Sequence, residues 1–373
     1  MPDRREKIAR LTESSRQVID DAILDNGAIV AANTDEPYYP REAADYRYVW
    51  PRDACVTALA AEKLNIRAAE PFFRWLETKP EDFLKERLLF SNYSTNGRIG
   101  SMGRMFQPDQ MGTVLWTIAT YCQGQSTRAE PWRGLIERLC DGLTAAWNKT
   151  YFLPNTVDLW EDGFRQTSSR VENNFTYSIA ACSRGLFMAD ELFPHKLWKQ
   201  AAQEMESQVN QAYDEQRGYF LRNHGKIDDP NVDASMLGLA WPFESVEPND
   251  ERMLSTLQVI ERTLVVDGGV HRYQFDYFDS EGSAWEGGGA WPILNFWLAI
   301  VLNRAGDRAK AEAYFNWVVD RVDHYIPEQL FADFRVGISP LVWSHAMFIL
   351  SADELGLLQA AATDPISPRS TGA

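Results

Sequence analysis

The segment Asp158-Leu159-Trp160-Glu161-Asp162-Gly163-Phe164 places three carboxylates and two aromatic rings around one glycine. An indole ring offers a flat apolar surface to the C–H face of a sugar. It also excludes water from a neighbouring carboxylic acid, which raises the pKa of that acid toward neutrality. A surface loop with solvated acids and one packed Trp explains the same residues equally well. The segment therefore indicates either a sugar site with a protonated acid or an ordinary loop.

A second group of polar residues lies at the start of a predicted helix, in Tyr48-Val49-Trp50-Pro51-Arg52-Asp53. Asp53 in this position can cap the helix or interact with its dipole. Alternatively, Arg52 and Asp53 together clamp sugar hydroxyls through charge-assisted hydrogen bonds. Both interpretations remain open on these residues alone.

Three residues in later segments are further candidates for a functional site. Arg272, in Gly268–Tyr273, either binds sugar hydroxyls or offsets nearby acids. Taken alone, Glu328 is typical of a solvated loop acid, and His345 is typical of a hydrogen-bonded core histidine.

Composition narrows the class of protein. The chain has 373 residues, a net charge of −16, and 13 Trp, 14 Tyr and 19 Phe, more aromatic residues than a core usually needs. Because the net charge is negative and no Lys/Arg block occurs, we expect neither nucleic acid nor a membrane as partner, and no highly anionic substrate. The four cysteines lack C-x-x-C spacing and the five histidines are scattered, so we expect no metal and no cofactor.

Two negative signals bear on location. No apolar signal-peptide core follows Met1, and the longest apolar run, from Trp291 to Leu302, is interrupted by Pro292 and Asn295. We therefore expect a cytoplasmic protein.

Hydrophobic periodicity predicts an all-α chain with close to twelve helices. Six helical hairpins can close into an (α/α)6 toroid whose long loops gather at one end, and an open α-solenoid is the alternative. We expect a single catalytic domain over residues 1–358 and a flexible C-terminal tail over 359–373. The predicted helices lie at about 4–25, 52–64, from 67, 109–123, 128–147, 171–192, 194–213, 233–240, 253–264, 290–304, 307–323 and 339–356.

The order of five short motifs resembles glycoside hydrolase family 15, the family of glucoamylases, glucodextranases and related α-glucosidases. The resemblance extends from about residue 27 to 356. The motifs are Arg-Tyr-Val-Trp-Pro-Arg-Asp (47–53), Asp-Leu-Trp-Glu-Asp (158–162), Gly-Gly-Val-His-Arg-Tyr (268–273), Pro-Glu-Gln (327–329) and Pro-Leu-Val-Trp-Ser-His-Ala (340–346).

This resemblance implies an (α/α)6 toroid and assigns roles to individual residues. Glu161 matches the general acid of the family and Glu328 its general base. Arg52 and Asp53 match the pair that holds the terminal glucose, and Arg272 matches an arginine that binds the same or the adjoining sugar. The predicted substrate-binding residues are Trp50, Arg52, Asp53, Trp160, Asp162, Arg272 and Trp343.

The chain also departs from the family pattern. We expect no room for the β-sandwich domain of bacterial and archaeal relatives or for a starch-binding module, and Asp162 replaces the Glu that commonly follows the acid. The sequence thus predicts an inverting exo-acting α-glucosidase that releases β-glucose from short α-gluco-oligosaccharides, with isomaltose slightly favoured over maltose. A trehalase of the same family, a toroid-fold sugar isomerase or epimerase using His271 and His345, and a non-catalytic sugar-binding protein are the alternatives.

Overall fold

The computed structural model describes residues 4–161, 172–276, 288–331 and 337–358. These ranges contain thirteen α-helices and two 3₁₀ helices, Glu130–Trp132 and Ala234–Leu239. The predicted tail at 359–373 lies outside the described residues. The α-helices are α1 (Arg4–Ala22), α2 (Pro51–Lys63), α3 (Ala69–Thr78), α4 (Glu81–Glu86), α5 (Pro108–Tyr121), α6 (Ser126–Ala129), α7 (Arg133–Ala146), α8 (Thr176–Leu192), α9 (Lys196–Gln211), α10 (Glu251–Leu264), α11 (Pro292–Arg304), α12 (Arg308–Val319) and α13 (Val342–Glu354).

Short strands join the loops between helices. In the described part of the chain they form four two-stranded antiparallel ladders, β1 with β2, β3 with β6, β4 with β5, and β7 with β8. The strands are β1 (Tyr48–Val49), β2 (Tyr93–Ser94), β3 (Asn173–Phe175), β4 (Tyr213–Asp214), β5 (Tyr219–Phe220), β6 (Asn223–Gly225), β7 (Val265–Val266) and β8 (Gly269–Val270).

Six helical segments form a closed inner ring. In order around the ring they are α2, α5, α8, the 3₁₀ helix Ala234–Leu239, α11 and α13, and α13 contacts α2 again. The helices α1, α3, α7, α9, α10 and α12 pack against this ring from outside. The arrangement is the predicted (α/α)6 toroid, and the contact between α13 and α2 closes what would be open in a solenoid.

The fraction of buried residues is higher in a helix of the inner ring than in one of the outer ring. In α5, 12 of the 14 residues are buried, whereas in α9 only 5 of the 16 are buried. A helix that is apolar on all sides belongs inside, and one with a single apolar face belongs at the surface.

Proline sets where several inner helices begin. Pro51, Pro108 and Pro292 each occupy the first turn of α2, α5 and α11, and the residue before each proline is extended. Proline has a backbone angle that suits a helix start, and it disfavours helical geometry in the preceding residue. These X-Pro steps therefore turn extended loops into helices at one end of the toroid.

Three predicted helices differ from the structure. The short helix predicted over 233–240 is the 3₁₀ helix Ala234–Leu239. The helix predicted over 128–147 is divided by the 3₁₀ turn Glu130–Trp132, because Pro131 lacks an N–H and its ring clashes with the preceding helical turn. The helix predicted from residue 171 begins only at Thr176, because Asn173–Phe175 pairs with β6 instead.

Other sequence features can be located directly. The four cysteines, Cys55, Cys122, Cys140 and Cys182, are buried and form no disulfides. Among the described helices, none is long and apolar enough to cross a bilayer.

Candidate active site

A cavity of about 240 Å³ lies where inner helices begin. Residues at the starts of α2, α11 and α13 contribute to its wall, together with the segments before α2 and after β8. Eight of the nine predicted site residues line it, and the ninth, Asp162, lies outside the described residues. The eight are Trp50, Arg52, Asp53, Trp160, Glu161, Arg272, Glu328 and Trp343.

Glu161 lies in a left-handed backbone conformation with φ of 59°. The turn before it is closed by a hydrogen bond from Glu161 N to Asp158 O of 3.2 Å, and Leu159 anchors it in the core. The indole N–H of Trp50 donates to Glu161 Oε1 over 2.8 Å. Burial raises the pKa of Glu161 to about 7, although Arg52 and the Trp50 hydrogen bond oppose the rise. A large fraction of Glu161 is therefore protonated at neutral pH, as a general acid requires.

The neighbouring Trp160 is fixed from the other side. Its indole N–H donates to Asp233 Oδ1 over 3.0 Å, and Asp233 also accepts from Ser235 N at the start of the 3₁₀ helix. The Trp160 ring lies 6.2 Å from the ring of Trp291, centroid to centroid. The loop that carries Glu161 is thus attached to two inner segments of the ring.

Arg52 and Asp53 form the start of α2 and an ion-pair network. Arg52 Nε lies 3.1 Å from Asp53 Oδ1, and Arg52 Nη1 lies 3.0 Å from Asp109 Oδ2. The backbone N–H of Arg52 donates to Gln110 Oε1 over 2.6 Å, and this hydrogen bond connects α2 to α5. Burial raises the pKa of Asp53 to about 6 despite the adjacent guanidinium of Arg52.

The N-cap of α2 is Trp50, and no side chain caps this end of the helix. The position of Asp53 in the first turn still favours its charge through the helix dipole. The structure therefore excludes Asp53 as an N-cap, while its contacts with the cavity and with Arg52 agree with the clamp interpretation.

Arg272 is buried and held rigidly. Its Nε and Nη2 donate to the two oxygens of Asp276 over 2.7 and 2.9 Å. Its guanidinium carbon lies 4.5 Å from the centroid of the Trp291 ring and 5.5 Å from that of Trp160. The bidentate pair with Asp276 and the two neighbouring indoles restrain the plane of the guanidinium, so Arg272 presents its donors in a defined direction.

Glu328 reaches the same cavity from the segment between α12 and α13. It is buried, and the phenol of Tyr46 donates to Glu328 Oε1 over 3.2 Å. Its backbone N–H donates to Ile338 O over 2.7 Å. The interpretation of Glu328 as a solvated loop acid is therefore wrong.

Trp343 packs beside the ion pairs. The guanidinium carbon of Arg52 lies 5.2 Å from the centroid of the Trp343 ring. The indole N–H of Trp343 is buried and has no hydrogen-bond partner in the described part of the chain. A buried donor without an acceptor is costly unless a ligand or water supplies one.

Histidine contributes nothing to the wall of this cavity within the described ranges. His345 is fully buried, its two ring nitrogens are hydrogen-bonded, and burial lowers its pKa to about 3. His271 is also buried and lies outside the cavity lining. The prediction of His345 as a hydrogen-bonded core histidine is confirmed, and the isomerase alternative loses its proposed acid and base.

Several site residues were missed by sequence reasoning. Tyr46 precedes the Arg47 motif by one residue and could have been included with it. Asp109 follows Pro108 at a helix start, the same pattern as Asp53 after Pro51, and Asp276 lies four residues after Arg272. Trp291 precedes Pro292 at a helix start, as Trp50 precedes Pro51, but its contacts with Trp160 and Arg272 depend on the approach of distant loops.

Residues 4–347 match the model of glycosyl hydrolases family 15. The chain belongs to this family. It is a glycoside hydrolase with a glucoamylase-like catalytic domain, as the order of the motifs implied. Within the described residues, no group of His, Cys, Asp or Glu is arranged to hold a metal ion.

Individual relatives differ in substrate. Isomaltose glucohydrolase of Kribbella flavida is 27% identical over 96% of this chain and 96% of its own length. A trehalase of Thermoplasma acidophilum is also 27% identical, over 75% of this chain and 50% of the relative. A solved glycosidase variant in complex with glucose superposes with a TM-score of 0.76, at 27% identity, covering 96% of this chain and 100% of that one.

Proposed function

We propose that this family 15 enzyme is an inverting, exo-acting α-glucosidase that releases β-glucose from the non-reducing end of short α-gluco-oligosaccharides. The observation that carries the proposal is one cavity lined by two carboxylates, Glu161 and Glu328, in different surroundings. Glu161 is half protonated near neutrality because of burial, while Glu328 accepts a hydrogen bond from Tyr46.

The two carboxyl groups have different roles in the reaction. Glu161 donates its proton to the glycosidic oxygen as the bond to the leaving sugar breaks. Glu328 accepts a proton from a water molecule that attacks the anomeric carbon from the opposite face. Inversion requires room for this water, with the carboxyl groups about 6.5–9.5 Å apart. Attack on an α-linkage from the opposite face yields β-glucose.

The remaining groups hold the terminal sugar. Arg52 and Asp53 bind its hydroxyls, and Arg272 binds the same sugar or the next one. The buried N–H of Trp343 would find its missing acceptor in a sugar hydroxyl. Trp50 and Trp160 flank the acid, and Asp162 follows it in the chain. These contacts strengthen catalysis to the extent that they tighten in the transition state.

Cavity size supports a short substrate. The volume of about 240 Å³ lies below the roughly 300–1,000 Å³ typical of sites for drug-sized ligands. Such a space suits one sugar ring with its leaving group at the mouth. Isomaltose-type α-1,6 linkages are slightly favoured, and the name of the isomaltose glucohydrolase relative supports this choice.

Trehalose is the second candidate substrate, supported by the name of the trehalase relative. The test measures initial rates on isomaltose, maltose, trehalose, longer homologues and soluble starch, with NMR of the first product. We expect β-glucose as the initial anomer, the highest kcat/KM on a disaccharide, and isomaltose ahead of maltose. α-Glucose as the first anomer would contradict inversion, and trehalose as the best substrate would replace the isomaltase assignment by a trehalase.

A further inference from the structure

The backbone just before Glu328 is attached to the start of α13 by two buried hydrogen bonds. The hydroxyl of Ser344 donates to Pro327 O over 2.8 Å, and the N–H of Ile326 donates to His345 Nε2 over 2.9 Å. Ser344 and His345 are both fully buried, and neither lines the cavity. Two consecutive side chains of α13 therefore hold the two residues that precede Glu328.

The same histidine extends the attachment to the outer ring. Because Nε2 of His345 accepts a hydrogen bond, the ring proton lies on Nδ1 and is donated to the Ser15 hydroxyl of α1, 2.8 Å away. Burial lowers the pKa of His345 to about 3, so the ring stays neutral and Nε2 remains an acceptor at any ordinary working pH. The chain of bonds runs from α1 through His345 to Ile326.

We propose that Ser344 and His345 are positioning residues for the general base and set where the Glu328 carboxylate holds the attacking water. This inference rests on the proposed role of Glu328. A carboxylate must hold its water in line with the breaking bond, and a misplacement of about 1 Å costs on the order of 10²-fold in rate. The effect is transmitted through Ile326 and Pro327, since neither positioning side chain touches the cavity.

A matched pair of serine variants tests the proposal. Ser344→Ala removes a buried hydroxyl that donates to a carbonyl over 2.8 Å, and Ser183→Ala removes one that donates to Ala202 O over 2.9 Å between α8 and α9. Both changes should lower Tm. Only Ser344→Ala should lower kcat per folded enzyme, by about tenfold to a hundredfold with KM little changed. Equal kcat in the two variants would overturn the proposal.

Variants at His345 distinguish hydrogen bonding from simple packing. His345→Gln can still offer an acceptor to the N–H of Ile326, whereas His345→Phe cannot. We expect His345→Gln to retain several-fold more kcat than His345→Phe. A lower kcat for His345→Gln than for His345→Phe would show that ring packing, and not the bond to Ile326, matters.

Turnover of α-glucosyl fluoride distinguishes a defect in proton donation by the acid from a defect in activation of the water by the base. Fluoride departs without a proton from the acid, but the attacking water still needs the base. Ser344→Ala should therefore lose turnover on the fluoride by the same factor as on the disaccharide, while Glu161→Gln should lose much less on the fluoride. A Ser344→Ala defect that disappears on the fluoride would overturn the positioning role. Full activity of Glu328→Gln on both substrates would instead refute the proposed base itself.

Discussion

The two ends of the toroid carry cavities that differ in size and in electrostatics. The cavity with Glu161 and Glu328 has a volume of about 240 Å³, and the one at the opposite end has about 470 Å³. The larger cavity is lined by residues near the C-terminal ends of inner helices, among them Lys63 of α2 and Asp353 of α13. Volume therefore does not distinguish the end with Glu161 and Glu328, which we propose to be the reactive end, from the opposite one.

Solvent exposure separates the two ends more clearly. Arg52 and Asp53 form an ion pair whose side chains are 4% and 13% exposed. The Lys63–Asp353 pair at the other end is 49% and 40% exposed. In water-excluding surroundings, burial raises the pKa of a carboxyl group such as Asp53 toward neutrality, and charged hydrogen bonds become stronger. Desolvated charge, more than cavity volume, therefore distinguishes the end with Arg52 and Asp53 from the opposite end.

The largest expected effect comes from removing the two carboxylates at the reactive end. Glu161→Gln and Glu328→Gln should each lower kcat by at least about 10²–10⁴-fold, because each loses a proton-transfer role. Circular dichroism should show that both variants remain folded. Near-normal turnover by either variant, measured on the best disaccharide, would mean that the reacting carboxylate is another one.

The next largest effect concerns the glucose clamp. Asp53→Asn keeps the shape of the side chain but removes its charge, and we expect kcat/KM to fall by roughly 10–100-fold, the value of a charged hydrogen bond or two. Burial raises the pKa of Asp53 to about 6, above its ordinary value, so the ionised carboxylate that predominates above that pH costs the folded protein stability relative to the unfolded chain. Stability at pH 7.5 should therefore not fall. A lower Tm with unchanged kcat/KM would show a purely structural Asp53.

Some features of the fold and of the candidate site could be predicted from the sequence. The start of α2 was predictable because Pro51, Arg52 and Asp53 are adjacent and proline fixes the helix start locally. The toroid followed from the helix count, and the pairing of Glu161 with Glu328 in one cavity followed from motif order. Asp162 lies outside the described residues, and its role stays a prediction.

Other features depend on tertiary contacts that no local pattern encodes. Asp109 completes the Arg52 network from 57 positions away. The bond from Tyr46 to Glu328 spans 282 positions. The left-handed backbone at Glu161 was equally unpredictable, because a non-glycine residue adopts it only when surrounding contacts such as the Trp50 hydrogen bond compensate.

A smaller effect is expected on the pH dependence of kcat/KM when Trp50, which donates to Glu161, is replaced. In the proposed mechanism Glu161 acts while it is protonated, and burial raises its pKa to about 7, so kcat/KM should fall above about pH 7. The Trp50 N–H stabilises the ionised form, and Trp50→Phe should therefore move the alkaline limb of the profile to higher pH. An unchanged limb in this variant would show that Glu161 does not control it.

The smallest effect is expected at the opposite end, where the same substitution provides the control for Asp53. Asp353 forms an ion pair with Lys63 over 2.6 Å, but the pair is largely solvated and Asp353 lies in the last turn of α13. The attraction of Lys63 is weak in water, and the dipole at a helix C-terminus disfavours a carboxylate, so the two terms nearly cancel. Asp353→Asn should change the free energy of unfolding by less than about 1 kcal/mol and leave kcat/KM and its pH profile unaltered. A loss of activity comparable to that of Asp53→Asn would show that the far cavity takes part in the reaction and would remove the distinction between the two ends.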